Sequence, residues 1–185
     1  MRLFLDRLYE TALWLAALCL AGIASMVGAQ LAARILDGAL ALVHLPRTGF
    51  VILSLNEICG FLLAAASFLA LAGTLKSGVH IRVTMVLGAL REDMRRYAEM
   101  AAFAATAVAV AYMTWNLANF AWVSFQFNEV SIGVVRVPLG FPQAAMAFGS
   151  AILTIALVDE FLAVARDGRP SFRHAEDAIT LGKEG

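Results

Sequence analysis

Apolar residues in this chain gather into four long runs separated by short polar stretches. Thr11–Ala33 carries no charge, and Thr48–Leu75 is interrupted only by Glu57. Met100–Asn128 is again uncharged, and Val137–Val158 is closed by Asp159 and Glu160. A helix rises 1.5 Å per residue, so about 20 apolar residues cross a hydrocarbon core about 30 Å thick. No water pairs with the backbone there, which leaves helices and closed barrels as the spanning forms. The alternating pattern of barrel strands does not occur in the sequence. The pattern predicts an all-α integral membrane protein with four transmembrane helices at about 11–33, 50–75, 98–124 and 138–163. These make one transmembrane domain over 1–166, followed by a polar cytoplasmic tail over 167–185.

Two connections carry helical periodicity of their own. Leu36, Ala39, Leu40 and Val43 share one face, with Asp37 and His44 on the other. This spacing predicts a short amphipathic helix in the membrane interface, broken by Pro46. Val79, Val83, Val86, Leu87 and Leu90 form a second stripe, opposite His80, Thr84 and Arg91, and predict a second interfacial helix. The run Arg91–Arg96 leads into the third span, with Glu92 and Arg96 in the favourable i,i+4 order.

Composition agrees with the pattern. The chain is 61% hydrophobic and 15% charged, against about 45–50% and about 25% for a soluble domain. Its net charge of +0 gives no field that would attract nucleic acid. The two cysteines, Cys19 and Cys59, sit in apolar runs and suggest no disulfide framework. Arg2 and Arg7 before an apolar run resemble a signal peptide, but the uncharged stretch Thr11–Ala33 exceeds the 7–15 residues of such a core, so a retained helix is expected. Positive charge sets orientation. Eleven of the 14 basic residues lie in the N-terminal tail, between spans two and three, and in the C-terminal tail; Arg34, Arg47 and Arg136 lie on the other side. Both termini are therefore expected in the cytoplasm. Tyr97 and Trp122 stand near the two ends of the third span, as interfacial aromatics do.

Polar residues inside the runs are the candidates for chemistry. Glu57 reads as a proton or cation site or, more simply, as a headgroup-level acid paired with a base on a neighbouring helix or subunit. His44 and His80 fall on opposite sides of the membrane and His174 in the tail, so no pair could hold a haem or metal. Tyr112, Asn116 and Asn119 share a face of the third span and read as helix-packing groups or as a polar path. Ala17, Ala21, Ser25, Ala29 and Ala33 form a ladder of small residues that admits a close helix neighbour. No catalytic grouping or phosphate loop is present, so neither an enzyme nor a cofactor is expected. A small multidrug exporter would need an acid in the first span, and a redox enzyme cysteine or histidine pairs. A scaffold in some other membrane complex is compatible with everything above. Nothing in the sequence repeats, as the halves of a self-sufficient transporter do.

Two stretches carry a family resemblance. Leu53–Leu87 reads LSLNEICGFLLAAASFLALAGTLKSGVHIRVTMVL, and Asn128–Gly149 reads NEVSIGVVRVPLGFPQAAMAFG. They resemble the small membrane subunit, DctQ type, of TRAP transporters, the tripartite ATP-independent periplasmic transporters. The matching positions are Glu57, Lys76, Gly78, His80, Ile81, Arg82 and Val83, then Ser131, Val137, Pro138, Pro142, Gln143 and Gly149. The family usually has Arg where Lys76 stands, an acid at Thr84, and an aromatic after the first proline, where Leu139 and Gly140 follow here. The resemblance covers about Asp6 to Arg166. It implies a multi-pass protein of the bacterial inner membrane, set among lipids and paired with a large multi-span transport subunit. A periplasmic binding protein would deliver the substrate, usually an organic acid. A cation gradient, commonly Na⁺, would drive uptake. The small subunit would brace the moving one. Gly78 offers a turn after the second span, so Lys76–Arg82 reads as a corner that docks onto the large subunit, its donors capping carbonyls within this chain or bonding to the partner.

Overall fold

The computed structural model describes residues 2–76 and 92–167. They form four helices: α1 Arg2–Leu42, α2 Leu55–Lys76, α3 Glu92–Gln126 and α4 Gly140–Asp167. Each contains a stretch long and apolar enough to cross a membrane. The chain is thus an all-α membrane protein with four helices of spanning length. No named strand occurs among the described residues, where one isolated bridge pairs Val130 with Pro138.

The helices pack side by side in the order α1, α2, α4, α3. Among the described residues α3 meets only α4, and α1 meets α4 slightly. The start of α1, the end of α4, Lys76 and Glu92 lie at one end, called here the terminal end. The connections 43–54 and 127–139 lie at the other, the loop end.

Small side chains set the spacing within the row. Tyr9, Ala12 and Ala16 of α1, Ala66, Leu69 and Ala72 of α2, and Ile152 and Ala156 of α4 make one buried cluster. A Cβ at Gly149 would lie 2.5 Å from the Phe68 carbonyl carbon, so α4 crosses the α2 backbone where only glycine fits. Between α3 and α4, the Thr114 and Thr154 hydroxyls lie 3.3 Å apart, and the Arg96 guanidinium donates to the Ala165 carbonyl at 2.6 Å.

The expected separate helix at Leu36–Val43 is instead the continuation of α1, which runs unbroken for 41 residues, about 60 Å. Nothing from Arg34 to Leu42 breaks a helix, and the next connection holds the extension in place. The helix ends as His44 takes a left-handed conformation (φ 57) and the Leu45 amide donates back to the Leu40 carbonyl at 3.0 Å. Pro46 follows. The second interfacial helix, Val79–Leu90, lies outside the described residues, as does the Glu92 side chain. The small-residue ladder faces away from the row: Ala17, Ala21, Ser25 and Ala29 are exposed, and α1 packs through Ala12 and Ala16 instead.

Candidate functional site

At the loop end, the α1–α2 connection folds back along α1. The Asp37 carboxylate accepts from the Thr48 amide at 2.7 Å, the Thr48 hydroxyl at 2.5 Å and the Gly49 amide at 3.3 Å. One helical turn nearer the membrane middle from Arg34, the buried Gln30 accepts from the Ile52 amide through its Oε1 at 2.7 Å. These two acceptors bring the start of α2 beside α1. Gln30, Arg34, Ser54 and Asn56 border an open cavity of about 440 Å³ there.

The α3–α4 connection is a tight hairpin. Asn128 (φ 50) ends α3, and the Glu129 amide donates to the Ser124 carbonyl at 2.9 Å. The Glu129 carboxylate accepts from the Ser124 hydroxyl at 2.7 Å. Ser131 is the buried hub: its amide donates to Val137 at 2.9 Å, and its Oγ accepts from the Val137 amide at 3.2 Å. The Leu139 amide closes the hairpin on the Glu129 carbonyl at 3.0 Å. Pro138 sits opposite Val130. Pro142 falls in the first turn of α4, where a missing amide hydrogen leaves no bond unmade.

The hairpin rests on the first turn of α2. The Val135 amide donates to the Ser54 Oγ at 2.9 Å. Glu57 lies under Gly133, where any Cβ would overlap its carboxylate. The expected basic partner of Glu57 is not found among the described residues; its Oε2 is buried without a hydrogen bond, as is the Oε1 of Gln143. Glu57, Ser131, Pro138, Pro142 and Gln143, far apart in sequence, thus belong to one region around the hairpin and the helix starts it joins.

At the terminal end, Lys76 of α2 turns toward α4 and α1 within the chain. Its ammonium lies 2.7 Å from Asp159 and 3.2 Å from Glu160, and 5.5 Å from the centre of the Tyr9 ring. Three helices therefore meet through one cation, with Glu160 fully buried. Gly78, His80 and Arg82 lie outside the described residues. The sequence reading named Asp37, Lys76, Asp159 and Glu160 without pairing them, and passed over Gln30, the one amide in an otherwise apolar run.

Tyr112 and Asn119 face outward instead of into the row, and Asn116 beside them is half-buried. The Asn116 amide donates to the Tyr112 carbonyl within its own helix at 2.8 Å, and Tyr112 is 72% exposed.

Residues 45–167, about two thirds of the chain, match the family model described as tripartite ATP-independent periplasmic transporters, DctQ component. No match was found among curated proteins. The matched stretch contains α2, α3 and α4, with the hairpin and with Lys76, Asp159 and Glu160.

Proposed function

Since the chain belongs to the DctQ component of the tripartite ATP-independent periplasmic transporters, and so is a small membrane subunit of one, we propose that it braces a large multi-span transport subunit in the bacterial inner membrane. The observation that carries this reading is the continuous match over 45–167. The geometry supports it. Four unbroken helices stand in a row, locked by a glycine crossing at Gly149 and by the Lys76 cluster. Such a row has two broad faces and is stiff along its length, which suits a static support beside a moving neighbour. In this reading the large subunit carries an organic acid delivered by a periplasmic binding protein, and a cation gradient, Na⁺ foremost, drives it. Glu57, Ser131, Pro138, Pro142 and Gln143 shape the loop end, Lys76 ties α2 to α4, and Gly78, His80 and Arg82, which follow it in the sequence, stand as candidates for a second contact with the large subunit.

The test is reconstitution. The chain is expected to co-purify with a large multi-span transport subunit from the same cell. Liposomes containing both, supplied with the binding protein and an inward Na⁺ gradient, should take up substrate; liposomes containing this chain alone should not. Substrate-dependent uptake by the chain alone would overturn the bracing role. Uptake that ignores Na⁺ but follows a proton gradient would replace the coupling ion only.

A further inference from the structure

The outward face of α3 cannot be satisfied by lipid. Among the described residues α3 packs only against α4, through Thr114, Ala121 and Ser124. At 100° per residue the opposite side carries Ala101, Ala105, Val108, Tyr112, Asn119 and Val123, and all six are exposed. The spanning stretch is Arg96–Gln126, which puts Tyr112 within one residue of its midpoint. Asn119 stands about 12 Å from that midpoint, still inside a core about 30 Å thick. Neither the Tyr112 hydroxyl nor the Asn119 amide makes a hydrogen bond among the described residues. Water is absent at that depth, and acyl chains offer no donor or acceptor.

A groove elsewhere on the surface makes no such demand. The groove between α1, α2 and α4, about 450 Å³ and lined by Leu15, Phe61, Leu62 and Phe148 among others, is almost wholly apolar, and lipid tails can fill it. The α3 face differs in two ways. It holds polar groups at mid-depth, and it pairs them with Ala101 and Ala105, which let another helix backbone come close.

We infer that this face of α3 is where the chain binds the large transport subunit, through a membrane helix that offers hydrogen-bonding side chains level with Tyr112 and Asn119. The inference rests on the bracing role proposed above and names the surface that performs it. The polar groups fix the depth and register of the two helices, and the alanines set their separation.

A photocrosslinking amino acid of the benzophenone type, placed at Tyr112 or Asn119 in the intact complex, tests this. The expected product is an adduct of this chain with the large subunit from both positions, well above that from Trp14, an exposed residue on α1. Equal yield from Trp14, an adduct of two copies of this chain, or adducts with lipid alone would overturn the assignment, provided that the large subunit still co-purifies. If it does not co-purify even with the unaltered chain, the bracing role itself fails. Tyr112→Phe with Asn119→Leu gives a second readout. Recovery of the large subunit should fall about five- to tenfold, as expected for two interhelical hydrogen bonds of average strength. The chain's own accumulation should hold, since neither side chain bonds within it. Undiminished recovery would overturn the inference.

Discussion

Lys76 is the residue whose loss the fold should feel most. It stands between Asp159 and the fully buried Glu160, and its own side chain is 21% exposed. Lys76→Ala would leave two carboxylates facing each other without that cation. Breaking a fully buried pair costs about 3–5 kcal/mol. The partial exposure of Lys76, and the further contacts that Glu160 makes, bring the expected loss to about 2 kcal/mol, read as a lower thermal midpoint in detergent. Lys76→Arg should lose less than about 1 kcal/mol, because a guanidinium fork can serve both carboxylates. Equal damage from both substitutions would mean that the site depends on the exact ammonium geometry and not on charge.

Among the elements, α1 departs furthest from the sequence pattern. Apolar periodicity marks Leu36–Val43 as an amphipathic helix, and the residues up to Leu42 are helical. Periodicity does not say whether a helix stops between two favourable segments, and here nothing stops it. What fixes the extension is Asp37, which gathers two amides and a hydroxyl from a loop eleven and twelve residues further on. Asp37→Ala should release that loop. Hydrogen exchange at the Thr48 and Gly49 amides is expected to rise at least tenfold, in keeping with the loss of charge-assisted bonds worth about 1.5–3 kcal/mol. Exchange in α2 and α4 should not change. Unaltered exchange at Thr48 would show that other contacts hold the connection.

For the molecule as a whole, orientation is the property still to be measured. The split of basic residues predicts both termini in the cytoplasm, and the start of α1 and the end of α4 lie at the same end of the row. Reporter fusions at Arg47 and Arg136 should report the periplasm, and fusions at Arg91 and the C-terminus the cytoplasm. A cytoplasmic signal at Arg47 would invert the whole assignment, including which side the Ser131 hairpin faces.

The sequence by itself determined that this is a membrane protein, that it has four helices of spanning length, and which family it belongs to. Each of those follows from local information: the length of apolar runs against the thickness of a bilayer, and short ordered motifs such as Asn128–Gly149. Only the tertiary structure decided the neighbours. That α2 and α4 cross at Gly149, that Lys76 serves Asp159 and Glu160, and that Ser54 and Glu57 carry the hairpin are contacts between residues some eighty positions apart. Hydropathy cannot encode them, because a lipid-facing and a helix-facing apolar side chain look alike when the solvent is itself apolar. The same reason kept the polar face of α3 ambiguous in the sequence: three polar residues at helical spacing fit an inward or an outward face, and the packing of α3 against α4 alone turned Tyr112 and Asn119 outward.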